Sequence, residues 1–194
     1  MTMKKMPSLL AAVAALGLAG AAFAEPANYT LEPNHTFVTF EIGHFNTSTN
    51  RGRFDKKEGT VTIDRAAKTG KLDVTLDTTS LNTGVAQFTK HLNSDEILDT
   101  AKFPTAEFHG DKFTFSGDKV TEIAGNLTLH GKTNPITLKA VNFNCYNSPL
   151  LKKEVCGGDF ETTIQRSLCG VNYGANYGFP DGVHLIIQVE AIKQ

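Results

Sequence analysis

The chain has 194 residues, of which 40% are hydrophobic and 20% are charged, and its formal net charge is −1. This length allows a sizeable buried core, and the weakly acidic balance argues against nucleic acid or an anionic membrane surface as the main partner. Three cysteines are too few for a fold built on disulfides.

Residues 1–24 carry Lys4 and Lys5 near their start, continue with an apolar stretch over residues 9–18 and end in Ala-Phe-Ala. This order is typical of a secretory signal peptide. We therefore expect cleavage before Glu25, periplasmic localisation, and one mature domain over residues 25–194. The apolar stretch is short for a membrane span, which takes about 20 residues; an uncleaved N-terminal anchor is the alternative. Removing the two lysines leaves 17 basic against 20 acidic residues.

Apolar and polar residues alternate along most of the mature chain, which predicts β-strands with one buried face. The first part predicts strands at residues 29–31, 38–44, 61–63 and 72–76, turns at 32–34 and 64–70, and a polar loop at 46–53.

Residues 84–100 break this alternation. The side chains at the helical spacing of three and four are Val85, Phe88, His91 and Leu92. Ile97 and Leu98 follow in what reads as a second short turn. We predict a short helical insert that packs over one end of the sheet.

Residues 125–138 read GNLTLHGKTNPITL and form the clearest hairpin pattern. Leu127 and Leu129 alternate with polar residues, and the alternation resumes at Ile136 after a turn over residues 131–135. Further strands are predicted at residues 106–108, 113–115, 120–129, 136–143, 160–164 and 183–191, with a loop at 167–180. About eight strands in this order predict an all-β, antiparallel, closed barrel; a two-sheet sandwich is the alternative.

Cys145 and Cys156 flank a loop with little strand character, and we predict a disulfide between them, which leaves Cys169 free. Zinc is the competing reading, but the chain has no C-x-x-C motif. Its six histidines form no H-E-x-x-H motif and no H-x-H pair, so no metal site is predicted. No nucleophile elbow, P-loop or dinucleotide fingerprint is present, and no catalytic residue is assigned.

Several short motifs then occur in a fixed order. They are Tyr29-x-Leu31-Glu32-x-x-His35-Thr36, Phe40-x-Ile42-x-His44, His91-Leu92-x-Ser94, Phe103-Pro104 with Phe108, Gly125-Asn126-Leu127-Thr128-Leu129-His130-Gly131 with Pro135, and Ile164-x-Arg166-Ser167 with Gly170. Together they resemble the YceI-like family of periplasmic, lipocalin-like proteins that bind polyisoprenoid chains. The chain departs from that pattern at Glu32, Thr36 and Cys169, where the family more often has Asp, Ser and an aromatic residue.

The resemblance implies a lipocalin-like barrel with an elongated apolar tunnel that holds an isoprenoid lipid such as ubiquinone or a polyprenyl chain. No cofactor is expected beyond that lipid, and no enzymatic activity is expected. The lipid is the expected partner, while transient membrane contact and a homodimer stay open. Two alternatives remain: an enzyme acting on a quinone or lipid in the same pocket, and a solid-core interaction or stress protein.

Strand parity and the resemblance together give the candidate ligand-binding residues. The tunnel wall is expected to include Phe40, Ile42, Phe54, Phe108, Leu127, Leu129, Ile164 and Leu185. The insert is expected to place Phe88, Leu92 and Ile97 near the mouth. The polar head group is expected near His44, His130 and Arg166. The alternatives are that the aromatic rings fill a solid core, that the histidines make ordinary structural hydrogen bonds, and that Arg166 pairs with a carboxylate.

Overall fold

The computed structural model describes residues 25–194, and the predicted signal peptide lies outside the described residues. The strands are β1 (Ala27–Leu31), β2 (Phe37–His44), β3 (Ser48–Phe54), β4 (Lys57–Asp64), β5 (Thr69–Asp77), β6 (Leu81–Asn82), β7 (Thr105–Ser116), β8 (Lys119–Leu129), β9 (Lys132–Asn147), β10 (Glu154–Gln165) and β11 (Gly182–Lys193). One α-helix, α1 (Ala86–Asn93), and two 3₁₀ turns (Thr78–Ser80 and Ala175–Tyr177) complete the fold.

Eight of these strands close into an antiparallel barrel in the order β1-β4-β5-β7-β8-β9-β10-β11, and the pairing of β1 with β11 completes the ring. Closure removes the free edges that an open sheet would leave. The predicted closed barrel is therefore confirmed, and the sandwich alternative is excluded.

Strand β11 changes partner along its length, and this change shapes one end of the barrel. Its last residues pair with β1, where Leu31 lies opposite Ala191. Its first half pairs with β2, from His184 opposite Glu41 to Gln188 opposite Phe37. Strands β2, β3 and β6 thus extend the sheet beyond the closed ring. We call this end, which also carries α1 and the loop over residues 167–180, the outer end.

The helical insert forms as predicted, but the helix itself is short. It begins after Val85 and ends at Ser94, whose backbone N–H bonds to the His91 carbonyl. No helix among residues 25–194 is long and apolar enough to cross a membrane.

Three local predictions are wrong. Most of the polar loop predicted at 46–53 is strand β3, which pairs residue by residue with β2 because a strand of this sheet needs only one apolar face. The turn predicted at 131–135 is shorter, since His130 and Gly131 both have positive φ and strand β9 starts at Lys132. This is the backbone of a two-residue hairpin turn. The expected loop between Cys145 and Cys156 is a strand hairpin whose turn spans only residues 148–153.

Candidate functional site

The barrel interior is not filled by its side chains. An inner cavity of about 120 Å³ lies among strands of the closed ring. Its wall is almost wholly apolar and includes Leu31, Ile63, Val74, Phe108, Ile123, Leu138, Phe143 and Phe160. Protein interiors are close-packed and seldom leave voids much larger than a water molecule. An apolar cavity of this size therefore suits an apolar ligand better than ordered water, which needs polar partners.

A larger cavity of about 370 Å³ lies at the outer end. Strand β2 contributes Phe40, Ile42 and His44, and the opposite wall comes from β8 and β10. The helical insert covers this cavity with Phe88, His91, Leu92, Ile97 and Leu98. The loop over residues 167–180 adds Val171, Tyr173 and Phe179.

The two cavities adjoin, and we call them together the tunnel. The side chains that line both are Val38, Leu76, Ala106, Leu127 and Leu185. Ala106 is the smallest of them and lies where the inner and outer cavities meet. The lining of the tunnel therefore extends from the outer end into the closed ring of the barrel.

Polar side chains gather in the outer cavity. They are His44, Asn50, His91, Arg166 and Tyr173. Polar groups in the inner cavity are limited to Thr36, Lys57, Glu107 and the backbone of Gly157. The tunnel is thus amphipathic along its length, with the greater hydrogen-bonding capacity at its outer end.

Arg166 is 7% exposed and holds the 167–180 loop over the tunnel. Its Nε donates to the Pro180 carbonyl at 2.9 Å, and Nη1 donates to the carbonyls of Val171 at 2.9 Å and Tyr173 at 2.7 Å. Nη2 donates to the Phe179 carbonyl at 3.4 Å. The alternative that Arg166 pairs with a carboxylate is not supported among residues 25–194, where these carbonyl oxygens accept its hydrogen bonds instead.

Two histidines sit at the mouth among aromatic rings. The His44 ring lies 4.8 Å from the Phe45 ring and 5.4 Å from the Phe179 ring, measured between centroids. The His91 ring meets the edge of Tyr173 at 4.9 Å, and its Nε2 lies 3.2 Å from a carboxylate oxygen of Glu96. Both imidazole rings line the outer cavity, where they can contact a planar or polar head group.

The comparison with known families decides where this barrel belongs. A model described as the YceI-like domain matches residues 29–191, which is nearly the whole described chain. The chain belongs to the YceI-like family.

Relatives extend this family assignment over the full length. The chain is 39% identical over 193 residues to a UPF0312 protein of Pseudomonas aeruginosa strain LESB58, covering 99% of this chain and 100% of the relative. It is 36% identical over 177 residues to Protein YceI of Salmonella newport, covering 90% of this chain and 91% of the relative.

Solved structures show the same YceI-like architecture. The Campylobacter jejuni YceI protein matches with a TM-score of 0.68 and 25% identity, covering 79% of this chain and 90% of the other. A polyisoprenoid binding domain from Saccharophagus degradans, implicated in plant cell wall breakdown, matches with a TM-score of 0.62 and 15% identity. That match covers 88% of this chain and 100% of the other, and at this identity it shows the fold alone.

The YceI-like tunnel brings together thirteen of the fourteen side chains expected at the ligand site. Those on the tunnel wall are Phe40, Ile42, His44, Phe54, Phe88, Leu92, Ile97, Phe108, Leu127, Leu129, Ile164, Arg166 and Leu185. Their contact with a ligand remains a prediction.

His130 is the exception, because it lines neither cavity. The turn at His130 and Gly131 sends its ring to the Phe103 ring at 4.3 Å. Its Nδ1 lies 3.3 Å from the Cys169 carbonyl oxygen. The expected head-group role of His130 is not supported by this position, and the alternative of a structural hydrogen bond fits it better.

Sequence reasoning missed several wall residues of the YceI-like tunnel. Val38 and Leu76 follow strand alternation, so the pattern contained a signal for them, whereas Leu81 lies in a two-residue strand that is too short to alternate. Asn50 was missed because residues 46–53 are predicted from the sequence to form a polar loop. Val171, Tyr173 and Phe179 lie in a loop without periodicity, and only the fold brings them to the cavity.

The predicted disulfide joins Cys145 and Cys156, which lie directly opposite each other in β9 and β10. Arg65 places Nη2 2.9 Å and 3.0 Å from the two sulfur atoms and 3.0 Å from a carboxylate oxygen of Glu154. Although Glu154 clusters with these cysteines, the bonded sulfurs offer no thiolate to a metal. Cys169 is free and buried, and burial raises the pKa of its thiol.

Proposed function

We propose that this YceI-like protein binds one isoprenoid lipid in its tunnel and carries it in the periplasm without chemical conversion. The observation that supports this most directly is a pair of adjoining, largely apolar cavities whose polar side chains are concentrated at one end. The similarity in fold to a polyisoprenoid binding domain supports the same ligand class.

The distribution of polarity favours one orientation of the lipid. An isoprenoid tail has no hydrogen-bonding groups, so it loses nothing by entering the inner cavity and gains dispersion contacts along its length. A head group with carbonyl or phosphate oxygens needs donors, and the outer cavity offers Asn50, His44 and His91. We infer that the tail lies inside the closed ring and the head group at the outer end.

The energetics suit reversible carriage. Burying each methylene group from water is worth about 0.8 kcal/mol, which holds an isoprenoid tail firmly against release into water. The tail begins in a bilayer, however, which is as apolar as the tunnel. The transfer between bilayer and tunnel is therefore nearly balanced, and the protein can both load and unload its lipid at a membrane.

The periplasm is the compartment that fits the remaining features. Residues 1–24 have the pattern of a secretory signal peptide. The Cys145–Cys156 disulfide suits an oxidising compartment, where such bonds persist. We include ubiquinone among the candidate lipids because its ring carries carbonyl oxygens and its tail is a long isoprenoid.

The first experiment is organic extraction and mass spectrometry of the protein purified from its native periplasm without detergent. We expect an isoprenoid lipid at about one molecule per protein, and the mass will identify the head group. The matched control is a soluble periplasmic protein carried through the same purification. Protein that is folded and free of lipid would contradict the proposal and favour an interaction protein with an empty tunnel.

A further inference from the structure

Among residues 25–194, the large apolar side chain with the highest exposed fraction lies in the turn between β9 and β10. Residues 148–153 read Ser-Pro-Leu-Leu-Lys-Lys, and we call them the Leu-Lys tip. Leu150 is 90% exposed and Leu151 is 49% exposed. Two adjacent leucines at the end of a hairpin contribute little to folding, so their exposure needs another explanation.

The Leu-Lys tip is held rigidly in this exposed position. Ser148 and Lys153 bond through their backbones at 2.9 Å, and the Lys152 N–H donates to the Ser148 carbonyl at 2.9 Å. The Leu151 N–H donates to Ser148 Oγ at 3.2 Å. Behind the turn, the disulfide joins the two strands. These constraints keep the leucines from folding back onto the barrel.

The charges beside the leucines complement a phosphate-bearing surface. Lys152 and Lys153 are exposed, and neither forms an ion pair with any described carboxylate. The nearest acid along the chain, Glu154, is already engaged by Arg65 at 3.0 Å and Lys193 at 3.7 Å. The chain as a whole has a net charge of −1, so any attraction to an anionic surface must be local.

We propose that the Leu-Lys tip docks the protein on a phospholipid bilayer. The two leucines enter the boundary between head groups and acyl chains, and the two lysines bind lipid phosphates above them. This division between an apolar edge and basic flanks is the arrangement by which interfacial segments bind membranes. A contact this small is weak and reversible.

This docking site is separate from the tunnel. The Leu-Lys tip lies at the end of the barrel opposite the outer end, because β9 starts at the His130 turn and runs away from it. None of residues 148–153 lines either cavity. A variant that no longer docks should therefore still contain lipid in its tunnel, and the lipid content can be measured independently of docking.

Vesicle co-sedimentation tests the proposal. The protein is purified after export, and its N-terminus is checked by mass spectrometry because an uncleaved segment 1–24 would itself bind lipid. Vesicles contain phosphatidylethanolamine and phosphatidylglycerol, or phosphatidylcholine alone. We expect the wild type to bind the first kind more tightly, and Leu150→Ser with Leu151→Ser to weaken binding at least tenfold. Lys152→Gln with Lys153→Gln should weaken binding to the anionic vesicles by about fivefold per lysine and remove most of its salt dependence.

Val141→Thr is the matched control, since Val141 is 64% exposed on the outside of β9 and away from the tip. It should bind vesicles like the wild type. The proposal is overturned if the wild type does not bind, or if the double leucine variant binds unchanged. It is also overturned if Phe45→Ser at the tunnel mouth abolishes binding while the leucine variant retains it. A dimer in solution that the leucine variant converts to monomer would assign the tip to a second copy instead.

Discussion

Arg166 shows how one buried side chain can organise a loop that has no regular structure of its own. A buried guanidinium is costly unless its donors are satisfied. Here four backbone carbonyls between residues 171 and 180 accept from it, so the same bonds that satisfy the cation fix the loop. Since Tyr173 and Phe179 belong to that loop, Arg166 positions part of the tunnel wall while also lining the cavity.

We therefore expect Arg166→Met to release the 167–180 loop. Several buried carbonyls lose their donor, which should lower the free energy of unfolding by about 2–4 kcal/mol. Hydrogen exchange should accelerate at residues 171–180 more than in strand β10. Arg53→Met is the control, because Arg53 is half exposed and contacts Asp55 and the Phe37 ring, which both lie outside the 167–180 loop. If hydrogen exchange at residues 171–180 were the same in Arg166→Met as in the wild type, Arg166 would not be what holds the loop in place.

Tyr29 makes stability depend on alkaline pH. Its side chain is 1% exposed, and its hydroxyl donates to Glu154 at 2.7 Å. Burial first, and then the hydrogen bond to the Glu154 carboxylate, raise the pKa of Tyr29 from 10.0 to about 12. Because the folded state retains the proton that the unfolded state releases, this stability is complete below pH 10. It is lost as pH rises towards 12, by about 3 kcal/mol in all.

Urea unfolding of the wild type and Tyr29→Phe at pH 9 and near pH 12 measures this effect. Other groups titrate over the same range in both proteins, so the difference between them isolates Tyr29. We expect the stability advantage of the wild type to shrink at the higher pH. An advantage that stays constant between the two pH values would show that Tyr29 does not keep its proton in the folded state.

At the scale of elements, alternation predicted the strands whose two faces differ most in polarity. Leu127 and Leu129 point inward and Asn126 and Thr128 point outward, and the hairpin follows from that contrast. Alternation did not predict strand β3, because its inward positions include Asn50 and Gly52, which are not apolar side chains. Gly52 has a structural reason, since a Cβ there would lie 2.5 Å from the Phe40 ring.

Strand alternation also separates the site residues that could be predicted from the sequence from those that could not. His44 was found because it continues the inward face of β2 by parity. His130 was expected near the head group because it stands at the end of a predicted strand, although its parity is opposite to that of Leu127 and Leu129. The turn at His130 and Gly131, where both residues have positive φ, directs its ring to Phe103 instead. Tyr173 and Phe179 belong to a loop whose carbonyl oxygens accept hydrogen bonds from Arg166. Hydrogen bonds from Arg166 to carbonyls 5–14 residues further along the chain produce no periodic pattern in the sequence, so alternation could not predict them.

At the scale of the whole molecule, the change of partner along β11 explains why the tunnel widens. Where β11 pairs with β1, the ring is closed and encloses about 120 Å³. Where it pairs with β2, the sheet branches, and the insert and loop cover a cavity of about 370 Å³. One strand thus divides the molecule into an inner and an outer cavity, which we propose hold the tail and the head group of the lipid.

Ala106 on β7 lies where these two parts meet and is 4% exposed. In Ala106→Phe, the ring should enter the existing space and block the inner cavity. We expect at least a tenfold loss of bound isoprenoid lipid, measured by extraction and mass spectrometry. The stability should fall by no more than about 2 kcal/mol, since the added volume fills a void.

Ala124→Phe is the matched control, because its alternation with the buried Ile123 directs residue 124 to the outer face of β8. It makes the same chemical change outside the tunnel and should leave the lipid content unchanged. Leu127→Phe should act like the Ala106 variant, since it enters the same space from β8. Full lipid content in both folded tunnel variants would mean that the tail does not pass between the cavities, and the inner cavity would then have no part in binding.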